Sequence, residues 1–160
     1  MSVAFTREES VETAAAGELP DRPISPHPNL VTQSGLKSLD AAMTTARAAY
    51  HEAQQIGDLN ERRPAVAAAS RDMRYFAERL RTAQVTPDPV ERQTVVFGSR
   101  VTFGRDDGRR QTFRIVGEDE ADPRAGSISY VSPVARALIG KTIGDRAALG
   151  DHEIEVLAVE

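Results

Sequence analysis

From Leu36 onward, apolar side chains recur at alternating spacings of three and four: Leu36, Leu39, Met43, Ala46, Tyr50 and Ala53. A second run, Val66, Ala69, Met73, Phe76, Leu80 and Ala83, repeats the spacing. Each run is the inward stripe of one helix, written as the a and d positions of a heptad. If the helices fold back on each other, facing residues keep a constant sum of numbers. The pairs 36 with 83, 39 with 80, 43 with 76, 46 with 73, 50 with 69 and 53 with 66 all add to 119. The pattern therefore predicts an antiparallel coiled-coil hairpin over 32–85, turning around Leu59-Asn60, with its tip near 57–62. Thr32 or Ser34 can cap the first helix, Gly57 suits its end, and Pro64 suits the first turn of the second. Lys37, Asp40, Arg47, Glu52, Arg71, Asp72, Arg74, Glu78 and Arg81 lie off the seam, where burial would be costly, so the hairpin is expected to be solvent-exposed.

Pro87 and Pro89 end the helical pattern and mark a linker over 86–93. Beyond it the period changes to two. Val95 to Phe97, Ser99 to Phe103, Gln111 to Val116, Ser127 to Val131 and His152 to Val159 read as strands, with a hairpin turn at Asp106-Asp107-Gly108. A short helix is expected over Val134 to Ile139, capped by Ser132, with Pro133 at its first position and Gly140 at its end. The expected fold class is α+β: the hairpin, then a C-terminal domain over 94–160 with one antiparallel sheet and one short helix. Residues 1–31, with Pro20, Pro23, Pro26, Pro28 and few large apolar residues, read as a flexible, acidic, Pro-rich tail.

Composition narrows the chemistry. Aromatic residues make up 5% of the chain and Trp is absent, which suits an elongated helical element better than a dense core throughout. A net charge of −4 argues against holding nucleic acid through its phosphates and points to protein partners. Arg62, Arg63, Arg71, Arg74, Arg79 and Arg81 do bias the second helix toward positive charge, either as a solvated face or as steering toward RNA. Cysteine is absent, which excludes disulfides and thiolate metal sites and fits the cytoplasm. His27, His51 and His152 fall in separate segments without zinc-ligand spacing. The first residues lack the basic and apolar regions of a secretory signal, and no run of ~18 apolar residues suggests a membrane span.

Several blocks of the C-terminal region resemble one family. They are Val96-Phe97-Gly98-Ser99-x-Val101, Ile115-Val116-Gly117-Glu118-Asp119-Glu120-Ala121-Asp122, Gly126-x-Ile128-Ser129, Ser132-Pro133-Val134-Ala135-Arg136-Ala137-Leu138-Ile139-Gly140-Lys141 and Gly144-Asp145. Their order and spacing are similar to those of the bacterial transcript-cleavage factors GreA and GreB. The resemblance implies an FK506-binding-protein-like C-terminal domain that seats on RNA polymerase at its secondary channel. Glu118, Asp119, Glu120, Asp122 and Pro123, with Ser132 and Pro133, then become the candidate polymerase-binding residues. It also implies that the coiled-coil tip helps the polymerase cleave backtracked RNA. Asp58 and Glu61, spaced i and i+3 after Gly57, match the family's tip acids and become candidates for sharing a catalytic Mg²⁺ with the polymerase, carboxylates being hard oxygen ligands for that ion. The implied factor is a monomer that completes no catalytic site by itself, has no cofactor of its own, and meets nascent RNA or DNA only within the polymerase complex.

The tip departs from the family pattern in two ways. Arg62-Arg63-Pro64-Ala65 stands where the family has Asn, a small residue, an acid and Tyr, and two cations oppose Mg²⁺ binding. Each arm is also about one heptad shorter, or ~10 Å of reach. These features leave open a second reading, a channel regulator without cleavage. Proline isomerisation, suggested by the fold, would need an aromatic pocket, for which Phe97, Phe103, Phe113 and Tyr130 are the candidates.

Overall fold

The two seam runs fold as long helices, α1 over Gln33–Gln54 and α2 over Leu59–Thr82, in a computed structural model that describes residues 19–160. Of the tail expected over residues 1–31, residues 1–18 lie outside the described residues. Leu39, Met43, Ala46, Ala53 and Ala69 are buried, and all five are seam positions. Small Ala side chains there allow helices to pack closely with little cost in side-chain entropy. Residues 39–81 with residues 19–25 make one compact unit, and residues 26–38 with 82–160 make a second.

The turn between the helices departs from expectation. Instead of centring on Leu59-Asn60, the connection occupies residues 55–58, because Asp58 starts α2 early. Gly57 is not among the glycines with positive φ, so it does not close α1 in the left-handed manner expected. The end of α1 is instead tightened by i→i+3 bonds, from Gln55 N–H to Glu52 O (3.0 Å) and from Ile56 N–H to Ala53 O (3.2 Å). Pro64 lies inside α2 rather than in its first turn.

The second unit is built on a five-stranded sheet. In chain order after α2 come β2 (Gln84–Val85, paired with β1, Leu30–Val31), β3 (Arg100–Arg105), β4 (Arg110–Val116), β5 (Ser127–Ser129), α3 (Pro133–Leu138), β6 (Arg146–Leu149) and β7 (His152–Val159). The large sheet has the order β5-β4-β3-β7-β6. It is mixed, not wholly antiparallel: β4 and β5 run parallel, with Ile115 opposite Ile128. Val95 to Phe97 is not a strand. Thr94 makes only an isolated bridge to Thr142, and Val95 turns into the core. The strand β6 was not expected. Val101, Phe103, Ile115, Ile154 and Val156 alternate inward and pack with Leu138 and Ala135 of α3. That helix starts as expected, with the Ser132 hydroxyl accepting from Ala135 N–H and Pro133 at the first position.

The end of the expected tail is also different. Residues 30–31 form a parallel pair with residues 84–85, and Asn29, Val31 and Thr32 are buried. Gln84 N–H donates to Asn29 O (2.8 Å) and Thr86 N–H to Val31 O (2.9 Å). This close passage depends on Gly117, where an added Cβ would sit 2.4 Å from the Leu30 carbonyl oxygen. Because the obstructing atom is backbone, Gly117→Ala should destabilise the protein by about 1–3 kcal/mol. Denaturant unfolding would measure the loss, and amide exchange should rise first at residues 29–31.

Across the β3–β4 turn, the Asp106 carboxylate accepts from Glu153 N–H (3.2 Å) and meets His152 Nδ1 (2.9 Å). The Glu153 amide, then His152, hold its carboxyl below the usual range. A carboxyl depressed in the folded state stabilises above its unfolded pKa of about 3.9, and that contribution is lost as pH falls through the folded value. Asp106→Asn should therefore flatten the acid limb of a stability–pH curve below about pH 4.

Candidate functional site

Asp58 is the residue on which the hairpin turn is organised. Its backbone carbonyl accepts from Arg62 N–H (2.9 Å), and its Oδ1 accepts from Asn60 N–H (2.7 Å), so it is the N-cap of α2. Glu61 follows in the first turn, where the helix dipole favours an acid. Both acids are exposed, as is Leu59 beside them. The cap explains why acids occur here even without a ligand. It also leaves Asp58 one oxygen uncommitted to the backbone. Among the described residues no group of three or more His, Asp or Glu side chains is arranged to hold a metal. Carboxylates are hard oxygen donors, and two of them three residues apart are too few to complete a cation shell by themselves.

Arg62 and Arg63 follow immediately, and Arg63 is exposed. Pro64 has no N–H to give the Asn60 carbonyl, so that tip carbonyl loses its regular helical donor. The tip thus carries carboxylates and guanidinium groups within one and a half turns of helix.

The parallel pairing of β4 and β5 explains how a second set of sequence-selected residues comes together. With Val116 opposite Ser129, both strands end at the same edge, and the loops that follow them leave side by side. One carries Glu118, Asp119, Glu120, Asp122 and Pro123; the other leads to Ser132 and Pro133. Asp119, Asp122, Pro123 and Pro133 are exposed.

Several of these side chains have internal work. Asp122 caps the short 3₁₀ turn Pro123–Ala125, accepting from Arg124 N–H (3.0 Å). One oxygen of Glu118 is buried without a hydrogen-bond partner, which carries a desolvation cost. Glu120 turns back to the start of α1, where Thr32 Oγ donates to one carboxylate oxygen and Ser34 Oγ to the other, each at 2.6 Å. Thr32 is itself the N-cap, accepting at its hydroxyl from Gly35 N–H (2.9 Å). Gly35 leaves the room this requires, since a Cβ there would lie 2.6 Å from Glu120 Oε2. Sequence reasoning found Thr32 and Ser34 as possible caps but missed Glu120 as their partner, because 86 and 88 residues separate them and nothing local signals the contact.

The aromatic candidates for an isomerase pocket are used in packing. Phe103 is fully buried against Phe113, and Phe97 meets Tyr130 edge to face, with ring centroids 5.8 Å apart. The Tyr130 hydroxyl donates to Pro28 O. An open cleft elsewhere in this unit is lined by polar and charged side chains, including Asp88, Arg92, Arg100 and Arg114.

A two-helix hairpin with acids at its turn, followed by a mixed-sheet domain with one capped helix, defines a two-part α+β class of protein. Residues 90–160 match the family described as transcription elongation factor, GreA/GreB, C-terminal. Transcription elongation factor GreA of Thioalkalivibrio sulfidiphilus is 38% identical over 144 residues, covering 78% of this chain and 86% of that protein. GreB of Neisseria meningitidis serogroup B is 44% identical over 96 residues, covering 56% of this chain and 59% of its own length. The crystal structure of GreA factor homolog 1 of Thermus thermophilus aligns with 84% of this chain and 99% of that one, at 21% identity and a TM-score of 0.39. The chain belongs to the GreA/GreB family of transcription elongation factors.

The Glu120 contacts yield a double-mutant cycle. Glu120→Gln and the Thr32→Val, Ser34→Ala pair should each lower stability, and combining them should cost less than the sum, with a coupling of about 0.5–3 kcal/mol. Additive losses in chemical denaturation would show that the carboxylate and the two hydroxyls act independently.

Proposed function

We propose that this chain binds RNA polymerase at its secondary channel and that its hairpin tip assists the polymerase's own active centre in cleaving backtracked RNA. Family membership supports the partner, and one observation carries the chemistry: Asp58 and Glu61 stand exposed on the first turn of α2. The factor contributes carboxylates and no complete site, so cleavage takes place in the polymerase, in the cytoplasm. A Mg²⁺ ion shared there would be held in part by Asp58 and Glu61 and would supply Lewis acidity. Glu61 offers its carboxylate directly. Asp58 stiffens the tip through its cap bond and offers its other oxygen, so that little conformational entropy remains to be lost on engagement. The exposed residues Asp119, Asp122, Pro123 and Pro133 form the polymerase-facing edge of the sheet domain, and Glu120 positions the loop from behind. The factor works as a monomer and meets RNA or DNA only inside the polymerase complex.

Arg62 and Arg63 favour a second reading, a regulator that occupies the channel without cleavage, because cations beside two carboxylates weaken their hold on Mg²⁺. Purified, arrested polymerase complexes separate the two. Under the first reading the chain shortens the transcript, and Asp58→Asn with Glu61→Gln slows shortening by about a hundredfold or more while leaving polymerase affinity unchanged. Tight binding with no shortening assigns the second reading, and loss of binding by the unaltered chain overturns both.

A further inference from the structure

Residues 19–25 belong to the hairpin unit and reach it through two adjacent side chains. Asp21 Oδ1 meets Arg74 Nε at 2.6 Å. Arg22 does more. Its guanidinium lies 3.8 Å from the Tyr75 ring centroid and 5.2 Å from that of Phe76, while its Nη1 is 3.2 Å from Asp72 Oδ1. The two rings stand edge to face, 5.3 Å apart at 79°, so one presents a surface for stacking and the other closes the side. A planar cation over an aromatic face with a carboxylate at its edge is the arrangement that selects arginine over lysine, because only the guanidinium can stack and donate in its own plane together.

The segment that delivers Arg22 suits a ligand. Pro20 and Pro23 bracket Asp21-Arg22, and a residue before proline is held extended, so the arginine is presented by a backbone with little freedom to lose. The segment has no helix or strand of its own. About a third of each side chain in the Arg22–Asp72 pair remains exposed, at 36% and 38%. Partly exposed charge pairs hold weakly, which makes the attachment reversible.

We propose that Asp72, Tyr75 and Phe76 form an arginine-binding site on α2 which the chain fills with its own Arg22, making residues 19–25 a releasable strap on the hairpin. The ligand class is a guanidinium on an extended peptide. An arginine-bearing segment of another chain competes for the site once the strap is displaced. The inference does not depend on what the hairpin does at the polymerase.

Hydrogen exchange on the full-length chain tests it. Arg22→Ala should raise exchange of the α2 region around 72–76 about tenfold, with Arg22→Lys in between and the sheet domain unchanged. A synthetic peptide of residues 19–25 should then perturb the Tyr75 resonances of the Arg22→Ala chain. It should act far more weakly on the unaltered chain, whose tethered Arg22 competes at an effective concentration in the millimolar range. Exchange in Arg22→Ala that matches the unaltered chain overturns the proposal. So does equal binding by a peptide whose arginine is replaced by alanine.

Discussion

The passage of the backbone beneath the end of β4 is the constraint from which the second unit takes its form. Leu30 crosses where a side chain at residue 117 would collide with its carbonyl oxygen, so the absence of a single Cβ permits β1 to lie against the sheet domain. The next residues of the chain use that placement. Val31 becomes buried, Thr32 arrives where its hydroxyl can both cap α1 and donate to Glu120, and Gly35 clears the carboxylate. Glycines 35 and 117 thus act as a matched pair of clearances, one beside a side chain and one beside backbone. Neither is required for a left-handed turn.

This changes how an acidic loop is to be understood. Four acids within five residues suggest a charged surface offered to a partner, yet their neighbours differ. Asp122 satisfies a turn amide, Glu120 satisfies two hydroxyls, and one oxygen of Glu118 is shut away from solvent. A loop whose inner acids are fixed holds its outer residues in place, and rigid presentation costs a partner less entropy on binding. The electrostatic and structural roles of the loop are therefore divided among its residues instead of being shared by all of them.

The parts of the fold most legible in the sequence were those with repetition. Two six-position seams marked the helices, and the apolar positions Ile154, Val156 and Val159 marked β7 to its observed ends, His152–Val159, although its alternation is interrupted by the register shift opposite Thr102 and Phe103. Ser132-Pro133 read correctly as a helix start because capping chemistry is local. Other features escaped for physical reasons. The strand β6 reads Arg-Ala-Ala-Leu, too poor in β-branched and aromatic residues to register, and pairs only because β7 supplies a template. The direction of β5 relative to β4 is invisible because alternation is the same in parallel and antiparallel strands. At the turn, Gly57 and Pro64 were given roles by type, whereas Asp58 set the start of α2 and left both residues in other positions. The candidate acids Asp58 and Glu61 were found from residue type and spacing, but the cap that occupies one oxygen of Asp58 emerged only from the structure.

The small parallel pair of β1 with β2 ties residues 30–31 to residues 84–85, so the chain between them is a closed excursion whose two ends are held side by side. Its length is consequently decoupled from the sheet domain. Residues can be removed from both arms in equal number, one heptad against one heptad, and the ends still meet in the same register with the same partners. Reach becomes an adjustable dimension, and natural variation in it is expected to come in matched pairs of deletions rather than singly.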